Sequence, residues 1–475
     1  MKFIIHGDVI HNDVQTMAQV FYQNMGFVLV DKVPDEGLCL EVTNFNNIVS
    51  VRRFEDGRWL DCVQTAVSGD TKAVSRAVKF GIFRILRAKT GYRPPWGLLT
   101  GIRPAKIATT LYGLGFSEEE TRAELLNHYL VDPRRAGLCI QAAGVQQGII
   151  DANTKAISIY IGVPFCPSIC QYCSFSSYPK EKFGKYMVDY VAALVKEIEF
   201  LGRVARGKFV ENIYIGGGTP TVLTDGDFEK MLAAVSQNFE TKSVLEYSVE
   251  AGRPDTITPT KLDLMKKYGV GRISINPQTL NNTTLAQIGR GHTAEDFFAA
   301  YEMAQQAGFE HINIDLILGL PGEGANDVKA TLEGLRALSP KSVTVHTLAV
   351  KRASRLHQEL DLLARHEVAE IEESLNLTAD YMAAANLNPY YLYRQKNSLG
   401  NFENVGYSVR GREGRYNIQI MEERQSVYAA GAGAVTKLVK PGDTRIERIF
   451  NLCNPVDYIR KVDEMIERKV KGGIS

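Results

Sequence analysis

Neither sign of charge dominates this chain: Lys plus Arg number 55 and Asp plus Glu 54, a formal net charge of +1 over 475 residues. Such a balance provides no field to gather a polyanion, which argues against nucleic acid and anionic membrane surfaces as partners. Long apolar runs are also missing. No stretch approaches the roughly 18 apolar residues of a membrane-spanning candidate, and the opening MKFIIHGDVIHND turns polar too early for the apolar core of a secretory signal. A cytoplasmic protein is the expectation. Low-complexity tracts and internal repeats do not stand out, and 45% hydrophobic with 23% charged residues describes a chain able to bury a real core. The length suggests about three domains.

Cysteine is sparse and unevenly spread. Four of the seven, Cys39, Cys62, Cys139 and Cys453, stand singly in settings such as GLCLEV and GLCIQA, as expected of buried free thiols in a reducing compartment. The other three, Cys166, Cys170 and Cys173, fall together in YIGVPFCPSICQYCSF with no fourth cysteine nearby. Iron–sulfur clusters are normally held by four thiolates, so three leave one iron open to a ligand that is not protein. Zinc is the rival occupant, since its catalytic sites keep three protein ligands and a water. Known zinc spacings, however, pair two cysteines with a second pair or with close histidines, and no such partner follows here.

Residues 1–150 read as an accessory α+β domain. Strand-like runs (KFIIH, FVLVDK, LCLEV, IVSVRRF) surround a helical stretch from Val14 to Met25, and Val74, Val78, Ile82 and Ile85 mark a second helix over 72–87 that Gly91 and Pro94-Pro95 end. PPWGLLTGIRPAK reads as a loop. Over residues 151–355 the rhythm changes to six β-rich runs, ISIYIGV, NIYIGGG, LEYSVEA, RISINPQ, HINIDLILGL and SVTVHTLAV, separated by amphipathic helices. The first of these helices carries Phe183, Met187, Tyr190, Leu194, Ile198 and Leu201 on one face. Serial strand–helix units point to an α/β fold with a parallel sheet wound in one hand, either a barrel or part of one, a partial (β/α)6 barrel. Residues 356–475 read as a separate carboxyl-terminal cap, in which the GAGA segment lacks the third glycine and acidic partner of a dinucleotide fingerprint.

Ligands of such sheets gather beyond the carboxyl ends of the strands. The chemically unusual residues obey that rule: Cys166 follows the first strand, Gly216, Gly217, Gly218 and Thr219 end the second, Glu250 the third and Gln278 the fourth, with Asp315 in the fifth. Each alone has an ordinary structural reading, because glycines make turns and strand-end carboxylates cap helices. An open iron calls for a bidentate ligand, and the amine and carboxylate of S-adenosylmethionine supply one, with a sulfonium that one electron can cleave. The glycines admit close backbone approach, and Glu250 could accept from ribose hydroxyls. As a phosphate cradle the glycines fail, because the lysine and hydroxyl residue of a P-loop do not follow.

CPSICQYC with its flanks, followed by GGGTPT, SVEAGRPDTIT, Gln278, NIDLILGLPG and HTLAV, resembles the radical S-adenosylmethionine family of oxygen-independent coproporphyrinogen III oxidases and their relatives over about residues 156–440. With the amino-terminal GIRP region the chain looks most like the coproporphyrinogen dehydrogenase-like branch that carries an extra amino-terminal domain. The resemblance implies a [4Fe-4S] cluster on Cys166, Cys170 and Cys173 and S-adenosyl-L-methionine as cofactor. It places Tyr160, Tyr172, Gly217, Gly218, Thr219 and Glu250 around that cofactor, and Gln278, Arg290, Asp315 and Ala349 in the same pocket or a second one. A low-potential electron donor, flavodoxin or ferredoxin, is implied as partner, because sulfonium cleavage needs the low end of the cluster range.

Three departures bear on the activity. Gly162-Val163 stand where the family often has histidine before Pro164, Phe175 replaces a further cysteine of the authenticated oxidases, and Asn276-Pro277 precede Gln278. The expected reaction is oxidative decarboxylation of two propionates of coproporphyrinogen III to vinyl groups. A haem-binding or haem-delivery protein and radical chemistry on another tetrapyrrole stay open beside it. Arg352, Arg394, Arg412 and Arg415 are candidate carboxylate holders, with surface solvation as their ordinary role.

Overall fold

The computed structural model describes residues 1–22, 25–150, 155–173, 175–349, 365–395, 398–440 and 445–474. They form two compact units: Met1–Ile140 with Arg394–Phe402, and Gln141–Tyr393 with Glu403–Ser475.

In the first unit β1 (Lys2–Gly7), β2 (Val28–Leu29), β3 (Leu38–Phe45), β4 (Ile48–Glu55) and β5 (Arg58–Ala66) build one sheet in the order β2-β1-β3-β4-β5. Val14, Met17, Val78 and Ile82, from helices His11–Phe21 and Thr71–Thr90, share a core with Phe3, Leu40, Val42, Val49 and Val51. The second helix ends where the sequence indicates, with Gly91 left-handed (φ 69°) and its N–H bonded to the Arg87 carbonyl. Cys39 and Cys139 are buried as expected and Cys62 half-buried. Cys453 is exposed, against expectation.

The second unit carries β6 (Ile157–Val163), β7 (Phe165–Cys166), β8 (Tyr178–Pro179), β9 (Val210–Gly217), β10 (Glu246–Glu250), β11 (Arg272–Ser274), β12 (His311–Leu318), β13 (Ser342–Thr347), β14 (Asn388–Arg394), β15 (Glu403–Ser408), β16 (Ser426–Ala430), β17 (Val435–Val439) and β18 (Ile446–Phe450). The six expected strands pair in chain order and in parallel, as β6-β9-β10-β11-β12-β13. These strands are buried at nearly every position because both faces are covered, as in β6, where six of seven residues are buried. The sheet they belong to has eleven strands and is open, in the order β14-β15-β13-β12-β11-β10-β9-β6-β16-β17-β18.

The carboxyl-terminal residues, expected as a separate cap, instead lengthen this sheet at both edges. β15 pairs antiparallel with β13, while β16 pairs in parallel with β6 and leads to β17 and β18. The GAGA segment is the turn between β16 and β17. Gly431 (φ 103°) presses so close to β6 that a β-carbon would lie 2.2 Å from the Gly162 carbonyl oxygen, which only glycine permits. Glu197 secures that turn from the helix Met187–Val204. Fully buried, it accepts from the Gly431 N–H (2.8 Å), the Tyr458 hydroxyl (2.6 Å), Asn451 and Lys469 (2.6 Å).

Candidate active site

The ends of β6, β9 and β10 bring the cysteine loop, the glycine run and Glu250 together. After β6 the chain turns through Pro164 into the cysteine loop, whose Cys173 N–H bonds to the Cys170 carbonyl at 3.0 Å. The Gly218 N–H donates to the Val163 carbonyl and the Thr219 N–H to the Phe165 carbonyl, both at 2.7 Å, so the glycine run is laced to the backbone leading into Cys166. Thr219 is buried, with its Oγ1 3.5 Å from Cys166 Sγ. A β-carbon on Gly218 would lie 2.5 Å from the Phe165 oxygen and 3.0 Å from Cys166 Sγ, and one on Gly216 2.6 Å from Glu250 Oε2. Larger side chains are therefore excluded at both positions.

The amides of Gly217, Gly218 and Thr219 are already engaged, the first with Glu250 Oε2 at 3.2 Å. With these amides engaged the run offers no row of N–H donors to a phosphate, and an ammonium, which needs acceptors, suits it better. Glu250 is half-buried, and burial raises its carboxyl to about 7 against the opposing hydrogen bonds of the Tyr214 hydroxyl and the Gly217 N–H. A carboxylate poised there could accept from a hydroxyl-rich ligand. Tyr160 reaches the same place, its hydroxyl 3.4 Å from where a Gly217 β-carbon would stand. Its ring lies nearly parallel to those of Tyr214 and Tyr416, with both centroids 6.3 Å away, while Tyr214 and Tyr416 stack at 4.4 Å. Burial raises the Tyr160 hydroxyl well above its ordinary range, keeping it a neutral donor.

The three thiols share one small region. Burial lifts Cys166 to about 11 and raises Cys173, and Cys170 acts on both through its charge. Among the described residues no three His, Cys, Asp or Glu side chains converge to hold a single metal ion. The fit to an iron–sulfur cluster rests instead on the donor chemistry: three free thiols in one loop, beside a glycine run that leaves room next to the first. Burial likewise raises the half-buried Tyr172, whose neighbours are Arg290 and Cys170. Arg290 donates to the Asn276 carbonyl at 3.3 Å while its buried Nε has no protein partner, as expected of a group awaiting an anion.

Of the remaining candidates, Asp315 lies in the fifth strand as expected, while Gln278 sits differently. β11 stops at Ser274, so Gln278 lies past the strand; it is buried and left-handed (φ 71°), with its N–H on the Asp315 carbonyl and its carbonyl accepting from Ile317. A non-glycine residue in that region costs about 1–2 kcal/mol and is held there by its surroundings. Both Asp315 oxygens are taken, Oδ1 by Asn313 (2.7 Å) and Oδ2 by Asn276 (2.8 Å), with His346 Nε2 3.8 Å from Oδ2. Burial pushes its carboxyl up, but His346 and Asn313 outweigh that and hold it below the usual range. Ala349 is buried two residues past β13.

The arginine candidates are committed elsewhere. Arg415 forks onto Glu211 (Nε–Oε1 3.0 Å), and Arg412 pairs with Glu310 at 2.9 Å. Arg394 is buried rather than solvated, donating to the Asn401 carbonyl at 2.8 Å and to the Leu99 carbonyl. Arg352 lies outside the described residues. Tyr214, His346 and Arg253, which the sequence reading passed over, stand at the site. The aromatic residue two places before the glycine run and the histidine of HTLAV were visible signals.

Residues 160–335 match the Radical SAM superfamily. The chain is 36% identical to the oxygen-independent coproporphyrinogen-III oxidase-like protein HemZ of Bacillus subtilis, over 98% of this chain and 96% of that protein. It is 30% identical to the heme chaperone HemW of the same organism, over 64% of this chain and 76% of that one. Among solved structures, coproporphyrinogen III oxidase (HemN) from Escherichia coli, a radical SAM enzyme, superposes with a TM-score of 0.53 at 22% identity, covering 68% of this chain and 73% of that one.

Proposed function

The chain belongs to the radical S-adenosylmethionine superfamily, among the oxygen-independent coproporphyrinogen-III oxidase-like proteins, and from that premise we propose that it oxidatively decarboxylates the propionate side chains of coproporphyrinogen III to give protoporphyrinogen IX without oxygen. The family's cofactors are a [4Fe-4S] cluster and S-adenosylmethionine. The observation that carries the proposal is the end-to-end similarity to an oxidase-like relative, over 98% of this chain.

When bound, the two cofactors supply a carbon-centred radical able to take hydrogen from an unactivated carbon. Cys166, Cys170 and Cys173 would hold the cluster, with the amino acid end of the nucleoside as its remaining, non-protein ligand. The Gly216–Gly218 backbone would receive its amine, and Glu250, held by Tyr214 and the Gly217 N–H, would accept from the ribose. Tyr160 and Tyr172 wall the nucleoside and keep water out. Gln278, Arg290, Asp315 and Ala349 line the continuation of the pocket, where Arg290 offers its unpaired Nε to a carboxylate. With both oxygens of Asp315 engaged, that residue serves by holding Asn276, Asn313 and His346 in place.

Residues 1–150 serve as an accessory domain, 151–355 carry the radical chemistry and 356–475 complete the substrate side. No helix among the described residues is long and apolar enough to cross a membrane, and we place the reaction in the cytoplasm, with flavodoxin or ferredoxin as the electron source. Similarity to heme chaperones favours one second reading, a carrier that retains the cofactor site. Anaerobic turnover of coproporphyrinogen with reductant and S-adenosylmethionine, followed by mass spectrometry, separates the two. Loss of two carboxyl groups is expected, and tight haem binding without any decarboxylation would overturn the oxidase reading.

A further inference from the structure

Arg253, three residues past the end of β10, is almost fully buried and makes three different kinds of contact at once. One edge of its guanidinium forks onto Asp255, Nε to Oδ1 and Nη2 to Oδ2, both at 2.8 Å. The remaining nitrogen, Nη1, lies 3.1 Å from Ser168 Oγ and 3.8 Å from Cys170 Sγ. Ser168 in turn donates to the Gly289 carbonyl at 3.3 Å. Gly291 makes room for the pair, since a β-carbon there would lie 3.1 Å from Arg253 Nη2 and 3.3 Å from Asp255 Oδ2. A lysine could not reproduce this arrangement, because only a planar five-donor head can grip a carboxylate with one edge and still aim a nitrogen at a sulfur.

We propose that Arg253 is a positioning residue that sets the reduction potential of the cluster, with Asp255 as its counterweight. The inference rests on the cofactor assignment made above and adds a role for this chain's own residues. Reduction by an external one-electron donor places one more negative charge on the cluster without forming or breaking a bond. A buried cation donating to a ligating sulfur favours that charge, and water screens it little. Asp255 sits on the far edge of the guanidinium and offsets part of its charge.

The counterweight gives the test two signs. In anaerobically reconstituted full-length protein titrated with dithionite and followed by electron paramagnetic resonance, Arg253→Met makes reduction about tenfold harder, a fall of about 59 mV for a one-electron couple. Asp255→Asn moves the midpoint upward at unchanged iron content, and Arg253→Lys falls between Arg253→Met and wild type. Loosening of the loop alone would not shift the two variants in opposite directions. Iron-loaded variants that titrate at the wild-type midpoint overturn the inference while leaving the cofactor assignment standing. A wild type that loads no cluster overturns both. Should Arg253→Met fail to load iron, Asp255→Asn decides: an upward shift supports the inference, and none overturns it.

Discussion

The two ends of β6, β9 and β10 are built on opposite terms. At the strand starts, Glu211 is fully buried and accepts from Arg415 (3.0 Å), Gln419 (3.4 Å) and Gln425, while Glu246 accepts from Ser248 (2.7 Å) and the Arg415 N–H. At the strand ends, Glu250 accepts from a tyrosine hydroxyl and one amide, the buried Nε of Arg290 has no partner among the described residues, and three free thiols lie together. The first end binds the protein to itself. The second keeps bonding capacity in reserve, at a cost in stability that a ligand can recover.

That contrast is sharpest at the cysteines. Replacing Cys166, Cys170 or Cys173 with alanine reduces bound iron and 5′-deoxyadenosine formation to background while leaving the thermal transition of the metal-free protein nearly unmoved. Full brown absorbance in such a variant would break the contrast. Lys469→Met does the reverse. It strands the fully buried Glu197 carboxylate and costs about 3–5 kcal/mol by denaturant titration, yet the folded fraction still binds iron. Gly218→Ala should affect both properties, since its methyl meets a backbone oxygen at 2.5 Å: overpacking costs about 1–3 kcal/mol, and iron loading falls with it.

Glu250 offers the finest test. Its folded carboxyl is raised to about 7, above the ordinary carboxylate value, so the native state holds that proton more tightly than the unfolded chain does. The stabilisation is complete below the unfolded value and is lost as pH rises through about 7. Ligand-free wild type should therefore lose on the order of 1–3 kcal/mol relative to Glu250→Gln across that window. The same variant should bind S-adenosylmethionine about tenfold more weakly at pH 8, a difference of about 1.4 kcal/mol. A stability difference independent of pH would show that Glu250 is not the titrating group.

Much of this was legible beforehand, and the omissions share a cause. Apolar runs such as ISIYIGV mark themselves because a parallel strand covered on both faces admits few polar residues. β5 and β18 carry mixed, half-exposed patterns such as RWLDCVQTA and IERIF and escaped the period. The return of β16 to β6 could not be read, since local pattern says nothing of a pairing that joins Ser158 to Gln425 across 267 residues. Cys166 and Glu250 announced themselves by type and position. Arg253 did not, because an arginine after a strand is ordinary until its nitrogen is seen beside a sulfur. The bonds of Arg394, Arg412 and Arg415 were equally illegible, because the partners lie far away in the sequence.

The central claim is that the vacancy left by three thiolates is filled by S-adenosylmethionine. Electron paramagnetic resonance of air-free, reconstituted and dithionite-reduced protein, recorded before and after adding that nucleoside, tests it directly. The account predicts a reduced [4Fe-4S] signal whose g values change on addition. An unchanged signal, or no cluster signal at all, would contradict it.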